Sequence, residues 1–498
     1  MKSKKLYNSI TNIREEIIEQ ADNYRFKKHN KSAWISSLVA AVLVFAIVSG
    51  IIIHNGFFVP TTKPIQTNNI TDTEPAKNIK ETVSSTEEDL PEYAIACPQY
   101  PIMAQYPSNG SQIEYDVWFE DVQKQRRNLY FTDDLNYFFT QSTQEFLSSN
   151  GNENYVYSPL NVYMALAMLA EITDGNSRQQ ILDLLNCENI ATLRRQSSDL
   201  WNANYRDDGA SSCVLASSLW LNENINYVQD TMDILAQKYY ASSYSGKMGS
   251  NEFNDALHQW LNEQTGDLLK EQAGDINFDP RTIIALATTV LFESNWTDKF
   301  DEEKNTEDVF HSPNGDVDCT YMNQSNCQNL YYGDDFTSIC KYMELGSMWF
   351  ILPDENISAQ ELLYNEQVMD FILKGEEWEN QKSLEVNETI PKFDVVSDID
   401  LSQGLKNMGI TDVFDSTISD FSPTTTDVDE ISVTKASHSA RVVIDEEGCV
   451  ATAFTVIFAT SGAKLAEEEI DFILNRPFIF VIKGESGLPL FIGIVNTP

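Results

Sequence analysis

DEEGCVATAFTVIFATSGAKLAEEE, residues 445–469, is the stretch around which the rest of this chain is organised. Three acidic residues open it, three close it, and residues 448–463 between them are uncharged. Small residues come first and β-branched and aromatic residues follow, a composition typical of a β-strand. The acidic ends predict that both ends are solvated. The local pattern therefore leaves two interpretations: an ordinary buried strand between turns, or an exposed strand-forming segment that the protein uses.

Composition indicates a large folded protein with an acidic surface. The chain has 498 residues, 42% of them apolar, and a net charge of −41. Nucleic acid is not expected as a partner, because phosphate binding needs clustered Lys and Arg. The charge is typical of a protein that stays monomeric by self-repulsion, or of one that attracts cationic partners.

The cysteines do not form a recognisable metal or disulfide framework. There are seven, at positions 97, 187, 213, 319, 327, 340 and 449. No CxxC pair occurs, so no zinc site, and no other metal or cofactor, is expected. Their odd number argues against a complete disulfide framework, although Cys319 and Cys327 are close enough in sequence for a local bridge.

The N-terminal part of the chain predicts a membrane anchor. Residues 34–53, WISSLVAAVLVFAIVSGIII, are uncharged and long enough to cross a bilayer. Residues 1–31 contain eight basic and four acidic side chains, which places segment 1–33 in the cytoplasm and the rest outside the cell. A buried core helix, the alternative, would need a polar face. We therefore predict a single-pass protein of the cell membrane, with a flexible extracellular linker at 54–96.

The remaining chain predicts an extension at 97–131 and a main domain at 132–498 of the α+β class. Residues 135–149 form an amphipathic pattern, and Ser158-Pro159 is typical of a helix start. Strand-like runs occur at 214–222, 283–294, 348–355 and 383–393, and residues 476–496 predict a hairpin. Helices dominate the first half and strands the second, which favours α+β.

Several segments of the main domain together resemble the serpin family. They include VYSPLNVYMALAML (156–169), TVLFESNWTDKF (289–300), IPKFDVVSDIDLSQGLKNMGITDVF (390–414), KASHSARVVIDEEG (435–448) and NRPFIFVIKGESGLPLFIGIVNTP (475–498). The resemblance implies three β-sheets, about nine helices and an exposed reactive-centre loop. It also implies a suicide-substrate inhibitor: a target serine protease cleaves the loop and becomes acyl-linked to it, and the loop then inserts into the central sheet. The chain itself would not be an enzyme, and no nucleophile motif, P-loop, HExxH or Rossmann glycine pattern occurs.

The resemblance assigns the start of the opening stretch to the hinge of this loop. The hinge residues are Glu446, Glu447, Gly448, Cys449, Val450, Ala451, Thr452 and Ala453. In the family's register an inserted loop buries the alternate residues Cys449, Ala451, Ala453, Thr455, Ile457 and Ala459. All six are small or apolar, whereas a buried unpaired charge would cost several kcal/mol. Cys449 replaces the family's usual Thr or Ser, and Phe454 is bulkier than is common.

The resemblance also implies two supporting groups beneath the loop. Glu446 and Lys392 match an ion pair in the breach, where the loop first enters, and Trp296 matches the buried tryptophan there. Ser158 and His438 match polar residues of the shutter, where the sheet must part. Asn161 and Thr288 stand there in place of the family's usual Ser and Asn, and both can still form hydrogen bonds.

The family's usual spacing places the reactive bond at Gly462–Ala463, with Thr460, Ser461 and Lys464 as neighbouring candidates. The small residues favour an elastase-like or subtilisin-like target, whereas Lys464 would suit a trypsin-like one. The expected protein is thus a monomeric, membrane-tethered, extracellular serpin that acts on serine endopeptidases. A non-inhibitory serpin that binds a ligand or protein, and an inhibitor of cysteine proteases, are the alternatives.

Overall fold

Two large β-sheets and eleven α-helices make up the part of the chain that the structure describes. This computed structural model describes residues 91–107, 110–125, 129, 135–147, 151–428, 430–449 and 468–498. All of them fall within the unit Ser85–Pro498. The predictions for the cytoplasmic segment, the membrane helix, most of the linker, residues 450–453 of the hinge and the candidate reactive bond lie outside these residues. Within the described ranges, no helix has the length and apolar character that crossing a bilayer requires.

The first sheet contains eight strands in the order β1-β5-β4-β6-β14-β13-β12, with β3 paired to β4. Its strands are β1 (Ala94–Ala96), β3 (Arg206–Asp207), β4 (Ser212–Asn222), β5 (Ala241–Gly246), β6 (Ile284–Asn295), β12 (Phe393–Asp400), β13 (Ser437–Ile444) and β14 (Gly448–Cys449). β12 alternates buried and exposed residues along its whole length, as a strand with one solvated face should.

The second sheet contains nine strands in the order β15-β11-β8-β9-β10-β16-β17-β2, with β7 paired to β8. Its strands are β2 (Tyr155–Tyr157), β7 (Thr306–Ser312), β8 (Gly315–Tyr332), β9 (Phe336–Tyr342), β10 (Ser347–Pro353), β11 (Gln381–Pro391), β15 (Glu469–Ile473), β16 (Phe478–Lys483) and β17 (Pro489–Val495). β16 and β17 form the predicted C-terminal hairpin.

The helices are mostly short, and the helix start that Ser158-Pro159 predicts is present. They are α1 (Gln112–Gln125), α2 (Leu135–Leu147), α3 (Pro159–Glu171), α4 (Gly175–Leu184), α5 (Ile190–Asn204), α6 (Gln229–Lys238), α7 (Asn251–Gln264), α8 (Lys270–Asp275), α9 (Ala359–Leu363), α10 (Glu366–Lys374) and α11 (Ser402–Asn407). Ser158 caps α3, where its side chain accepts a hydrogen bond from the Asn161 amide and Pro159 occupies the first helical position.

α3 lies at the centre of the core. Nearly all of its residues are buried, as expected for a helix that is apolar on every side. It packs on β6 of the first sheet and on β17 of the second. The helix that carries Ser158 at its start therefore contacts both sheets.

The segment before the main domain packs on the first sheet. Residues 94–96, which the sequence-based boundary assigns to the linker, form β1 and pair with β5, because small and β-branched residues fit against that strand. In the predicted extension, the ring of Tyr100 lies 5.0 Å from that of Trp201 and 5.6 Å from that of Tyr205.

The predicted α+β class and serpin-type fold are confirmed, with two differences in count. The described residues contain eleven helices rather than about nine, and two hydrogen-bonded sheets rather than three. The sheets merge because β8 is 18 residues long. Residues 315–321 of β8 pair with β7, residues 321–331 pair with β11, and residues 330–332 pair with β9, so a single strand joins the groups.

Candidate functional site: a slot in the first sheet

The first sheet is incomplete between β6 and β13. β6 pairs along one edge with β4, and β13 pairs along one edge with β12. Their other edges face each other, and within the described part of the chain only β14 pairs with both. We call the space between these facing edges the slot. Because β14 is antiparallel to both neighbours, a strand that continued from Cys449 between them would also be antiparallel to both.

Gly448 and Cys449 occupy the mouth of the slot. Gly448 lies opposite Asn295, and Cys449 lies opposite Ser294 on β6 and Ile444 on β13. A side chain at position 448 would overlap the carbonyl oxygen of Ser294 and lie 2.6 Å from the Cα atom of Asn295. The close approach of two backbones therefore explains the glycine.

The Cys449 side chain is buried in this position, with 2% of its surface exposed. Burial, and then the nearby carboxylates of Asp445 and Glu293, raise the pKa of its thiol to about 12. Cys449 thus behaves as a small apolar residue here.

One residue of the acidic turn before Gly448 is buried, contrary to the prediction that this end is solvated, whereas the Glu447 side chain is 42% exposed. Glu446 is only 5% exposed. The Lys392 Nζ atom lies 2.5 Å from its Oε1 atom, and the Asn305 amide also donates to that oxygen. Burial alone would raise the pKa of Glu446, but these two hydrogen bonds outweigh it and lower the pKa. A partnered carboxylate can be buried where a free one cannot.

Trp296 binds the same turn through its backbone and its side chain. Its indole N–H donates to the Asp445 carbonyl at 2.8 Å, and its backbone N–H donates to the Glu447 carbonyl at 2.9 Å. Its side chain is 1% exposed. The structure therefore brings Trp296, Lys392 and Glu446 together around the mouth of the slot.

The four shutter residues lie close together at the end of the slot away from Cys449. The Ser158 backbone N–H donates to Nε2 of His438 at 3.0 Å. The side-chain amide of Asn161 donates to the Thr288 backbone carbonyl at 3.4 Å. Thr288 is on β6 and His438 is on β13. Burial lowers the pKa of His438 to about 4, so the imidazole is neutral. Its Nε2 atom can therefore accept the hydrogen bond from the Ser158 backbone N–H. The start of α3 thus contacts both sides of the slot.

Residues that sequence reasoning missed cover the opposite face of the slot. Arg441 on β13 donates to the Leu268 carbonyl at 3.2 Å and pairs with Asp394 at 2.6 Å. Leu268 lies in the turn between α7 and α8, and a side chain at Gly266 in the same turn would contact Leu291 on β6. The one available signal was Arg441 itself, a charged residue at an outward position of an otherwise small and apolar strand.

No second chemistry is evident in the described residues. No group of three or more His, Cys, Asp and Glu side chains there could hold a metal ion. All seven cysteines are thiols that form no disulfide bond within the described part of the chain. A bridge between Cys319 and Cys327 is excluded because both lie on β8, where eight residues of strand separate them by roughly 26 Å.

Fold and site together define an α+β protein in whose first sheet β14 is, among the described residues, the strand that lies between β6 and β13. A family model described as Serpin (serine protease inhibitor) matches residues 134–498. This chain therefore belongs to the serpin family. Membership supports protease inhibition in general, and most members of the family are inhibitors rather than catalysts.

Individual relatives agree with this assignment. The chain is 27% identical over 365 residues to the leukocyte elastase inhibitor of Homo sapiens, which covers 70% of this chain and 94% of that protein. It is 26% identical over 364 residues to Serpin-ZX of Arabidopsis thaliana, which covers 70% and 93%.

Solved structures show the same fold. The native state of the thermophilic serpin tengpin matches with a TM-score of 0.66 and 25% identity, over 74% of this chain and 95% of that one. Thyroxine-binding globulin in complex with thyroxine matches with a TM-score of 0.63 over 73% of this chain and 98% of that one. At 18% identity, the second match concerns the fold alone.

Proposed function

We propose that this chain is a membrane-tethered serpin, displayed outside the cell, that traps serine endopeptidases of the elastase-like or subtilisin-like type. The observation that carries the proposal is the pairing of Gly448–Cys449 with both β6 and β13. Gly448 and Cys449 would be the first residues of the inserted strand, and the rest of the loop would follow them into the slot.

The hinge pairs fix the register of the residues that would follow. In an antiparallel pair, one step forward on one strand is one step back on the other. An inserted strand would therefore place Ala451 between Phe292 and Val442, and Ala453 between Val290 and Ala440. Phe292, Val442 and Ala440 are buried, so these inserted positions face the core.

The same register would carry the inserted strand past the end of β13, which begins at Ser437. Thr455 would lie between Thr288 and His438, where its hydroxyl could replace a contact of the shutter. Ala459 would lie opposite Ile284, the first residue of β6. The core-facing positions expected from the family resemblance would therefore extend along β6 to its first residue, and none of them is charged.

The proposed reaction is acyl transfer to the target. The serine oxygen of the protease attacks the carbonyl carbon of the residue before the reactive bond, and the peptide nitrogen leaves with the proton that the protease's histidine delivers. Insertion then moves the ester-linked protease before water can hydrolyse the ester. Gly462–Ala463 is the proposed bond, because small side chains suit a shallow specificity pocket.

The sharpest test compares two arginine substitutions that place the same charge on opposite faces of the inserted strand. Ala451→Arg would bury a charge between Phe292 and Val442, at a cost of several kcal/mol. Val450→Arg adds the same charge on the opposite face, beside Glu293. Each full-length variant is mixed with elastase-like, subtilisin-like and trypsin-like proteases and analysed on denaturing gels.

The wild type should form an SDS-resistant band at the summed mass, and mass spectrometry of the released fragment should identify the bond. Ala451→Arg should be cleaved without being trapped, whereas Val450→Arg should lose far less trapping. Cleavage of the wild type without a complex would contradict inhibition and favour a binding function. Equal loss in both variants would contradict the register.

The proposed anchor and location need a separate measurement. They rest on the uncharged stretch 34–53 and on the basic residues before it. Protease added outside intact cells should cleave the chain within residues 70–120. Protection of this region until the membrane is opened would contradict the extracellular location.

A further inference from the structure

A buried lysine of the second sheet contacts the segment that holds the acidic turn, residues 445–447. Lys341 on β9 and Glu388 on β11 form an ion pair, with 6% and 2% of their side chains exposed. Lys341 Nζ lies 3.3 Å from Glu388 Oε2 and donates to Gln324 Oε1 at 2.7 Å. The Gln328 side-chain amide donates to the other Glu388 oxygen at 2.6 Å. Both charges are therefore paired and hydrogen-bonded inside the protein.

The same ammonium group lies against two aromatic rings. Lys341 Nζ is 4.1 Å from the ring centre of Phe300 and 5.7 Å from that of Trp296. A cation over a ring at such distances is attracted to it, more strongly where water is excluded. Burial lowers the pKa of Lys341, but the Glu388 carboxylate opposes that shift and favours the charged form. The lysine therefore presents a fixed cation to both rings.

Trp296 and Phe300 hold the acidic turn by three hydrogen bonds to its backbone carbonyls. The Trp296 indole donates to the Asp445 carbonyl, and the Trp296 backbone N–H donates to the Glu447 carbonyl. The Phe300 backbone N–H donates to the Glu446 carbonyl at 3.2 Å. Each carbonyl of the turn is thus bonded to a residue whose ring contacts the buried lysine.

The end of β9 holds the other side of this segment. The Tyr342 carbonyl accepts a hydrogen bond from the Thr297 backbone N–H at 3.0 Å, and Trp296 forms an isolated bridge with Met343. Residues 296–300 are therefore held between β9 and the acidic turn. The backbone of this segment is fixed by β9, and its rings lie against a side chain of the same strand.

Stability alone gives no reason for an ion pair at this place. Apolar residues of similar size at positions 341 and 388 would often give equal or greater stability, because two charges have to be taken out of water. An apolar side chain would also pack against both rings, but it would not be attracted to their faces. The feature that distinguishes the lysine is therefore its attraction to the rings.

We propose that Lys341 is a positioning residue for the hinge. Glu388 and Gln324 hold its ammonium group in place. That group fixes the rings of Phe300 and Trp296, and the N–H groups of these two residues hold the acidic turn from which the hinge begins. This inference rests on the proposed function, because it concerns the start of the inserting loop, and it adds a residue of the second sheet to those that hold this loop.

The test measures hydrogen exchange in the full-length protein, because backbone amides of segment 296–300 donate two of the three bonds. The variant Lys341→Met/Glu388→Gln removes the cation without leaving a buried charge unpaired. Its control, Lys483→Met, removes another buried lysine whose Nζ atom lies 5.7 Å from a tryptophan ring, that of Trp349. Exchange is followed by mass spectrometry of peptides, and global stability by unfolding in urea.

The amides of segment 296–300 should exchange about tenfold faster in the double variant, because the cation no longer fixes the rings beside the donors. The midpoint of urea unfolding should stay close to that of the wild type, because uncharged residues of similar size replace an ion pair. Lys483→Met should leave exchange of this segment unchanged. Unchanged exchange in the double variant, or an equal increase in the control, would overturn the proposal.

Pentafluorophenylalanine at position 300 tests the contact with the ring, and it remains informative if the double variant does not fold. This residue has nearly the shape of phenylalanine, but fluorine withdraws the negative charge from the ring face that attracts a cation. Exchange of segment 296–300 should again become faster. In the Lys341→Met/Glu388→Gln background the same replacement should have little further effect. Wild-type exchange in the fluorinated protein, or additive effects, would contradict the proposal.

Hydrogen exchange needs no protease, so this proposal and the proposed function fail separately. If the wild type traps no protease but segment 296–300 exchanges faster in the variants, the positioning role stands and inhibition fails. If the wild type traps a protease and exchange of the segment does not change in the variants, inhibition stands and the role of Lys341 is wrong.

Discussion

Replacing Gly448 with alanine should force the hinge out of the slot. The new methyl group would overlap the Ser294 carbonyl oxygen and lie 2.6 Å from the Cα atom of Asn295. Both are backbone atoms, so no side-chain rotation relieves the contact. The variant can keep its fold only if Gly448–Cys449 leaves its place between β6 and β13.

The size of the effect follows from the contacts that are lost. Gly448 and Cys449 pair with β6, and the Gly448 carbonyl accepts from the Asp445 amide at 3.1 Å. Each such hydrogen bond contributes about 0.5–1.5 kcal/mol, and burial of the Cys449 side chain about 1 kcal/mol. A loss of about 3 kcal/mol would raise the population with an open hinge by about a hundredfold.

The Cys449 thiol itself provides the assay. Its pKa of about 12 in the closed hinge should return toward the ordinary value of about 8.5 when the hinge opens. Alkylation at about pH 8, followed by peptide mass spectrometry, should show Cys449 protected in the wild type and labelled in Gly448→Ala. The exposed Cys327 serves as an internal reference.

Gly274→Ala is the matched control, because a side chain there would contact nothing within 4 Å. It should leave Cys449 as protected as in the wild type. If Cys449 is equally protected in Gly448→Ala, a side chain at position 448 fits against β6 and the reasoning is refuted.

Three further predictions concern the supporting groups. Burial lowers the pKa of His438 to about 4, so below about pH 6.5 the unfolded chain binds more protons than the folded one. The unfolding free energy measured in urea should therefore fall by up to about 3 kcal/mol between pH 6.5 and pH 4. This loss should be much smaller in His438→Gln. Lys392→Ala leaves the buried Glu446 without its cation and should cost about 1–3 kcal/mol, with faster alkylation of the hinge thiol; normal stability and labelling would contradict a role for the pair. Tyr100→Ala removes the rings' contact with Trp201 and should lower the unfolding free energy by about 2–4 kcal/mol, whereas Gln99→Ala, at an exposed site, should have no measurable effect.

Sequence patterns predicted the elements whose local signals agree with their burial. Ser158-Pro159 starts α3 as the capping signal indicates, and the apolar run at 283–294 corresponds to β6, Ile284–Asn295. Local composition and tertiary packing favour the same structure at these positions, so single-sequence reasoning succeeds.

Features that depend on distant partners were not predictable in this way. The acidic residues at 445–447 indicated a solvated end, but Lys392 and Asn305 make Glu446 a buried residue. β8 was missed because its sequence, GDVDCTYMNQSNCQNLYY, has few apolar residues. It is held by pairing with β7, β11 and β9 rather than by burial of apolar side chains, so a mostly polar segment forms the longest strand of the described fold.

The two hydrogen bonds from Trp296 to the acidic turn make this indole a built-in spectroscopic probe of the hinge. The indole donates to the Asp445 carbonyl from a side chain that is 1% exposed. Any movement of the hinge changes both the hydrogen bond and the polarity around this ring, and the emission of an indole depends on both. Because the chain has eight tryptophans, fluorotryptophan placed at position 296 alone and read by fluorine NMR would follow the hinge on the intact protein without an attached dye.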